Sequence, residues 1–498
     1  MQKEERKNGK STYDHIVKYI GVFGGVQGVN MLASIARNKL AALLLGPSGL
    51  GLISLYNTAI SLLNNITNLG LSFSAVRHLS EFSDEDKQEE LQRLIKNVRS
   101  LSLLTAIFGV LVCCIISPFL SKSYFDNYDS WLTFVCLAPV VGLMAISGGE
   151  LAILKGARRL KQVAFQSVLN SFFAILTTIP IYYIWGESGI VCSLILVALT
   201  TLLTTICFSY RSYPFGLSFS RKTFTEGYKM IKLGIAYLIA GIMASCVDFV
   251  IRAYIMQVSS ESEVGFYNAG YVLIFSYASV VFYAIETDFF PRLSSVNHDV
   301  VKSNEVVNRQ MEASLVVISP LLVALMLFLP IVLLLLYSDS FLPVVSMVQY
   351  AVFLLYFRAM ALPLSYMLLA KGRSSVFLSA ELLYNIVAVA FVIIGFSQYG
   401  LRGAGIALTL ASVFDLFLVI VTCCHFCDYK VSKRAVTLLL VQLPIGVLTY
   451  VVTSVFEGLN YWLFGSICLF CSLSVSVYIL RRETTLLQKI SAYFKRKQ

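Results

Sequence analysis

GPSGLGLISLYNTAISLLNNITNLGLSFSAVRHLSE, residues Gly46 to Glu81, decides how the rest of the chain is read. A Gly/Pro turn opens it, a run long enough to cross a bilayer follows, and Arg77 and His78 close it. Inside the apolar run, Asn57, Ser61, Asn64, Asn68 and Ser72 recur at spacings of 4, 3, 4 and 4. At about 3.6 residues per turn, that spacing draws one polar stripe on an otherwise apolar helix. Hydrocarbon cannot satisfy amides, so the stripe should face a partner helix or a wet cavity.

The same plan returns in SSESEVGFYNAGYVLIFSYASVVFYAIETDFFPRLSS, Ser259 to Ser295. Gly51 aligns with Gly265 and Arg77 with Arg292, offsets of 214 and 215 residues. LKGARRLKQVAFQSVLN from Leu154 echoes LAKGRSSVFLSAELLYN from Leu369, pairing Asn170 with Asn385. Gly189-Ile190 pairs with Gly405-Ile406 at an offset of 216. Ordered matches at nearly one offset mark a duplicated chain.

Composition says where the duplicated chain lives. Of 498 residues, 57% are hydrophobic and 13% charged, and mean hydropathy is +0.76. Those values lie outside the range of water-soluble domains. Apolar runs of about 20 residues match the length a helix needs to cross hydrocarbon. Fourteen spans are expected, at 16–45, 50–78, 97–120, 131–154, 164–185, 189–210, 228–257, 264–290, 311–337, 343–370, 375–397, 402–425, 432–455 and 460–480. The mixed-charge start Lys3 to Lys10, ahead of a long first span, reads as an uncleaved anchor.

Basic residues fall in alternate loops: Lys87, Arg93, Lys96 and Arg99; Lys155, Arg158, Arg159 and Lys161; Arg211, Arg221 and Lys222. Arg292, Lys302 and Arg309, then Lys371 and Arg373, then Lys430, Lys433 and Arg434 continue the pattern. The other loops carry mainly acids. Both termini and the basic loops are therefore expected on the cytoplasmic side. The net charge of +11 belongs to this topology and gives no reason to expect nucleic acid.

The expected fold is an all-α polytopic membrane protein of about fourteen transmembrane helices, with two pseudo-symmetric six-helix lobes and a C-terminal helix pair. Its divisions are an N-lobe at 1–210, a cytoplasmic linker at 211–227, a C-lobe at 228–427 and an appendix at 428–498. Six helices per lobe give both repeats the same orientation.

Catalytic and cofactor motifs are not seen. The sequence holds no Walker A loop, dinucleotide fingerprint, nucleophile elbow or HExxH. The chain is not expected to be an enzyme, and no cofactor is called for. Cys423-Cys424-His425-Phe426-Cys427 has ligand-like spacing, but no second cluster completes four ligands, so packing is the reading and no metal is expected. Energy would then come from an ion gradient, the membrane potential or the substrate's own gradient.

What remains is a set of charges inside spans, each costly unless paired or wet. They are Arg37, Lys39, Glu150, Asp248, Arg252, Glu286, Asp288, Arg358, Glu381 and Asp415. Asp248 and Arg252 stand at i, i+4 and can neutralise each other. Glu150 is expected to pair with nearby Lys155. Arg37 and Lys39 have no local acid, so at least one is expected to face substrate. Under the repeat, Lys39 and Arg252 hold nearly equivalent places, which suggests cations from both lobes meeting in one cavity. Such cations suit an anionic ligand, Arg gripping phosphate in a fork and Lys acting as a point charge. The substrate-binding candidates are Lys39, Arg37, Arg252, Asn57, Asn64 and Asn68. The ion-coupling candidates are Asp248, Glu286, Asp288, Glu381 and Asp415.

The GPSGLGL turn after a Lys-bearing span, the LxxAKGR-type inner loop and the basic end of span eight resemble bacterial O-antigen translocases. These are Wzx-type lipid-linked oligosaccharide flippases, similar to the lipid III flippase and grouped with the multidrug and toxin extrusion (MATE) transporters. The resemblance implies alternating access and transfer of an undecaprenyl-diphosphate-linked oligosaccharide from the cytoplasmic to the periplasmic leaflet of the bacterial inner membrane. It also implies partners among polysaccharide polymerases and glycosyltransferases, and cavity cations at Lys39, Arg37 and Arg252. The final helix pair departs from the twelve-span members of the group. A MATE-type cation-coupled drug antiporter is the alternative, but it should favour acidic cavity residues over Arg37, Lys39 and Arg252. A membrane polymerase or ligase would need a large outer loop, and every outer loop here is short.

Overall fold

The computed structural model describes residues 2–81, 88–219, 221–277, 282, 289–290 and 292–483. The chain turns where glycine allows it. Gly46 (φ 65°, ψ −166°) interrupts α1 (Gln2–Thr67), just before Pro47, and Gly400 (φ 58°, ψ −140°) interrupts a second long helix, Ser374–Cys427. A Cβ at either glycine would meet nothing within 4 Å, so the requirement there is the left-handed backbone and not space.

After α1 come α2 (Leu71–Glu81), α3 (Gln88–Phe125), α4 (Trp131–Gly156), α5 (Leu160–Trp185), α6 (Ile190–Ser212) and α7 (Arg221–Val258). Then follow α8 (Glu261–Tyr271), a π-helical stretch Val272–Tyr277, α9 (Val300–Leu336), α10 (Val344–Ala351) and α11 (Leu354–Ala370). The chain continues through α12 (Ser374–Cys427), α13 (Lys433–Val455) and α14 (Gly458–Glu483). Regular structure among the described residues is helical throughout, as the sequence implied.

Nine helices among the described residues are long and apolar enough to cross a membrane, or ten with the bent pair α10 and α11 taken as one span. Three stretches are too long for one crossing: Gly28–Thr67 with 40 residues, Lys161–Ser212 with 52 and Ser374–Cys427 with 54. At about 1.5 Å per residue each far exceeds the roughly 30 Å of hydrocarbon. Each breaks at a glycine, Gly46, Gly186 or Gly400, which leaves pieces each about long enough for one crossing. The expected span at 264–290 lies partly outside the described residues. The expected span at 50–78 needs correction: it is not one helix but stops at Thr67 and restarts at Leu71. Leu69 (φ 51°) and Gly70 (φ 68°) are both left-handed there, and the helix cannot pass through them.

By packing, the chain forms two compact units, Met1–Val264 and Gly265–Gln498. In the first, α3 lies along α4, α5 along α6, and α1 against α5 and α7. The repeat makes α7 the first helix of the second lobe, whereas its contacts lie in the first unit. In the second unit, α9 packs on α11, α13 and α14, while α12 packs on α10 and α11.

The helix α5 shows why these helices stay together in lipid. Its outward residues Phe165, Phe172, Leu176 and Tyr183 are large, apolar and more than half exposed. Such a stripe would drive aggregation in water and is ordinary against acyl chains. Its inward residues are polar and paired with α6: Gln162 Nε2 donates to Ser212 Oγ (2.8 Å), Gln166 Nε2 to Thr205 Oγ1 (2.9 Å), and Thr201 Oγ1 to Asn170 Oδ1 (2.7 Å). Asn30 on α1 joins the ladder through Ser167 (2.7 Å) and Ser171 (2.8 Å). Each such bond contributes on the order of 0.6 kcal/mol in a bilayer, and the ladder sets helix register.

The C-terminal pair is bonded into the second unit. Buried Gln442 on α13 donates to Ser472 O (3.3 Å) and Ser476 Oγ (3.1 Å) on α14 and accepts from Ser472 Oγ (2.7 Å). Tyr461 on α14 donates to the carbonyl of Leu327 on α9 (2.7 Å).

Candidate functional site

Arg37 and Lys39 sit on α1 within three turns of Gly46, and both are half-buried. Residues two apart on a helix point about 200° from each other, so the two cations do not share a face. Arg37 lies close enough to Tyr182 on α5 for its charge to act on that phenol. Lys39 therefore belongs to the opposite side of α1.

The polar stripe on the second half of α1 changes character along its length. Asn57 and Ser61 are exposed, while Asn64 and Asn68 are half-buried. The side-chain oxygens of Asn64 and Asn68 are buried and accept no hydrogen bond. Asn68 Nδ2 donates to Ser72 Oγ (2.9 Å). The neighbouring Asn65 is turned away, donating to Ser245 Oγ (2.7 Å) and the carbonyl of Gly241 (3.3 Å) on α7.

Arg252, expected beside Lys39 in a cavity, is 4% exposed. Its Nη1 pairs with Asp248 Oδ1 at 2.9 Å, and its Nε donates to Ser54 Oγ on α1 at 2.8 Å. The i, i+4 pairing read in the sequence is what the structure shows, and it ties α7 to α1. Asp248 is thereby engaged with Arg252. Glu286 and Asp288 lie outside the described residues.

Glu381 and Asp415, far apart in sequence, come together in the second unit. Each feels the charge of Arg358 on α11, Asp415 feels Glu381 as well, and Tyr384 lies among all three. The Arg358 guanidinium stands 5.5 Å from the centre of the Phe275 ring, in the π-helical stretch. Phe275 in turn packs on Tyr271, with ring centres 4.4 Å apart. Local sequence gave no sign of this grouping, because its members lie on α11, both halves of α12 and the stretch after α8. A π-helical distortion inside a span is a recurrent mark of function, and it is the signal that singles out Arg358.

Glu150 requires a second correction. Its partner is Arg99, not Lys155: Arg99 Nε meets Oε1 at 2.8 Å and Nη2 meets Oε2 at 3.3 Å, both side chains buried. Arg99, read from sequence as a loop charge, is a core residue. Cys423 is likewise a packing residue, its thiol against the Leu364 carbonyl at 3.4 Å.

Outside the spans, Glu187 in the turn after α5 accepts a hydrogen bond from Ser48, beside the Gly46 break. Glu261 at the start of α8 keeps its proton above the usual carboxylate range. Burial is the first cause and the charge of Glu187 the second.

A family profile described as polysaccharide biosynthesis protein matches residues 40–346, more than half of the chain. The chain belongs to the polysaccharide biosynthesis protein family. This family member is 22% identical over 285 residues to the lipid III flippase of Escherichia coli K12, covering 55% of this chain and 68% of the relative. The Shigella flexneri lipid III flippase matches over the same length at 22% identity. Among solved structures, the lipid II flippase MurJ in an inward closed conformation superposes with a TM-score of 0.69 at 14% identity, covering 93% of this chain and 99% of that one. An inward-facing multidrug resistance MATE transporter of the MOP superfamily gives 0.63 at 16% identity, covering 83% and 95%. The polysaccharide biosynthesis family member thus has the fold of these carriers, and the named relatives are carriers, not enzymes.

Proposed function

We propose that the protein is a flippase for an undecaprenyl-diphosphate-linked oligosaccharide, an O-antigen unit or a related surface polysaccharide precursor. The observation that carries this reading is the 285-residue likeness to a lipid III flippase, within a family of polysaccharide biosynthesis proteins. The cargo would cross from the cytoplasmic to the periplasmic leaflet by alternating access, with both termini of the chain in the cytoplasm.

Lys39 on α1 would neutralise diphosphate charge, and the exposed Asn57 and Ser61 would bind sugar hydroxyls. The Arg358, Glu381 and Asp415 cluster has one more acid than base. A group of that balance in an apolar span attracts a proton or a small cation, which suits it to ion coupling. Arg252 would act structurally through Asp248 and Ser54.

The test is translocation of a fluorescent undecaprenyl-diphosphate oligosaccharide in proteoliposomes, wild type beside Lys39→Ala. Movement lost in the variant supports both the function and the site. Movement in both keeps the function and discards Lys39. Export of a cationic dye against an ion gradient, with no lipid movement, would replace the reading by a drug antiporter.

A further inference from the structure

The break at Asn68–Gly70 gathers hydrogen-bond acceptors at the end of the apolar run Gly28–Thr67. Asn68 N still donates to Asn64 O (2.9 Å) and Leu71 N to Asn68 O (2.9 Å), but no described N–H closes the carbonyls of Asn65, Ile66 and Thr67. Those carbonyls form the C-terminal, partially negative end of α1. Asn64 Oδ1 and Asn68 Oδ1, four residues apart on one face, are two more buried acceptors without a donor. Among the described residues, no side chain of a neighbouring helix donates to these two oxygens. Ser72 and Ser102 rest against Gly148 and Gly149 of α4, and the Ser102 hydroxyl is itself unsatisfied. Glu150, the next residue, is committed to Arg99 and Ser209.

Buried acceptors without donors are costly wherever water is excluded. Unwound carbonyls at the end of a half-helix are a known way to hold a monovalent ion. We propose that the break between α1 and α2 is a binding site for a dehydrated monovalent cation, sodium or potassium. Its ligands are Asn64 Oδ1, Asn68 Oδ1 and free carbonyls of Asn65 to Thr67. The ligands are neutral, so they suit a single charge better than a divalent ion. The site lies wholly in the first unit, apart from the Arg358 cluster in the second.

The test is hydrogen exchange of the peptide covering residues 63–74 in purified protein, in sodium, potassium or choline chloride at equal ionic strength. An ion at about ten times its Kd should slow local opening about tenfold relative to choline. Whichever alkali ion protects identifies the occupant. Asn64→Ala should remove the protection, and Asn64→Asp, which adds formal charge, should bring it in at lower salt. Exchange equal in all three salts would overturn the site in favour of a bound water. Protection that persists unchanged in Asn64→Ala overturns it too. Asn68→Ala is the less telling variant because Asn68 also shapes the break. Ion binding does not depend on which lipid is carried, so failure here leaves the proposed cargo untouched.

Discussion

Arg99 and Glu150 meet as a buried, two-pronged ion pair, and the same guanidinium holds the chain after α6. Arg99 Nη1 donates to Pro214 O at 2.7 Å and Nη2 to Tyr213 O at 3.0 Å, while Ser209 Oγ donates to Glu150 Oε2 at 2.5 Å. The Tyr210 ring lies 4.5 Å under the guanidinium. Each guanidinium nitrogen and both carboxylate oxygens of the pair have a partner, which is the condition under which a buried ion pair is tolerated.

Breaking one side leaves a charge with no water to receive it. Arg99→Ala and Glu150→Ala should each cost about 3–5 kcal/mol, read as a lower unfolding midpoint in detergent micelles. Arg99→Met with Glu150→Leu should recover part of that loss, because no lone charge remains. A loss below about 1 kcal/mol in the single variants, the range of an exposed pair, would mean that water reaches the site.

Two glycines that look alike in the sequence should resist alanine for different reasons. A Cβ on Gly405 would stand 2.3 Å from the carbonyl oxygen of Met347, a backbone atom that cannot swing aside. A Cβ on Gly46 meets nothing and costs only the left-handed φ. Gly405→Ala should therefore destabilise by about 1–3 kcal/mol or more through overpacking of α12 on α10. Gly46→Ala should cost about 1–3 kcal/mol from backbone strain alone, because φ 65° with ψ −166° lies in a region nearly reserved for glycine. A loss below about 1 kcal/mol at Gly405 would contradict the contact with Met347.

Much of this architecture is written in local pattern. The Gly46-Pro47 turn, the apolar lengths and the Asp248–Arg252 spacing are properties of neighbouring residues, and all can be read along the chain. The repeat marks Gly189 and Gly405, and packing supplies the reason. A Cβ on Gly189 would lie 2.6 Å from Ile181 Cγ2, and one on Gly405 would strike Met347. Partners on distant helices leave no local trace. Arg99 and Glu150 are 51 residues apart, so Arg99 reads as one more basic loop residue until the helices are assembled. The break at Leu69 is hidden for another reason. NLGLS lacks proline, and its single glycine is equally compatible with a continuous span. Arg37 and Lys39 are read together because only Asn38 separates them in sequence, although helix geometry turns them apart.

Glu261 provides a pH test outside the membrane. Its folded-state pKa is raised, first by burial and then by Glu187. A raised carboxylate pKa means that the fold prefers the protonated form. Stability is thus greatest below the ordinary glutamate range and falls as pH rises through the raised value. Glu261→Gln, fixed in the neutral form, should unfold later than wild type at pH 7, and the two should converge near pH 4. Glu187→Gln should recover a smaller part of the same gain. A variant less stable than wild type at neutral pH would show that the carboxylate has a favourable partner.

The last prediction separates the two cations on α1. A charge-assisted hydrogen bond to phosphate contributes about 1.5–3 kcal/mol, equivalent to roughly ten- to hundredfold in binding. If Lys39 meets the diphosphate, Lys39→Ala should lower translocation by about that factor. Lys39→Arg should keep most of it, because the charge is retained. Arg37 lies within electrostatic reach of Tyr182 on α5, so Arg37→Gln should change translocation far less and act mainly on stability. The measurement is the initial rate of lipid-linked oligosaccharide movement, normalised to folded protein by size-exclusion chromatography. A larger effect from Arg37→Gln than from Lys39→Ala would reverse the assignment and put the substrate on the α5 side of the helix.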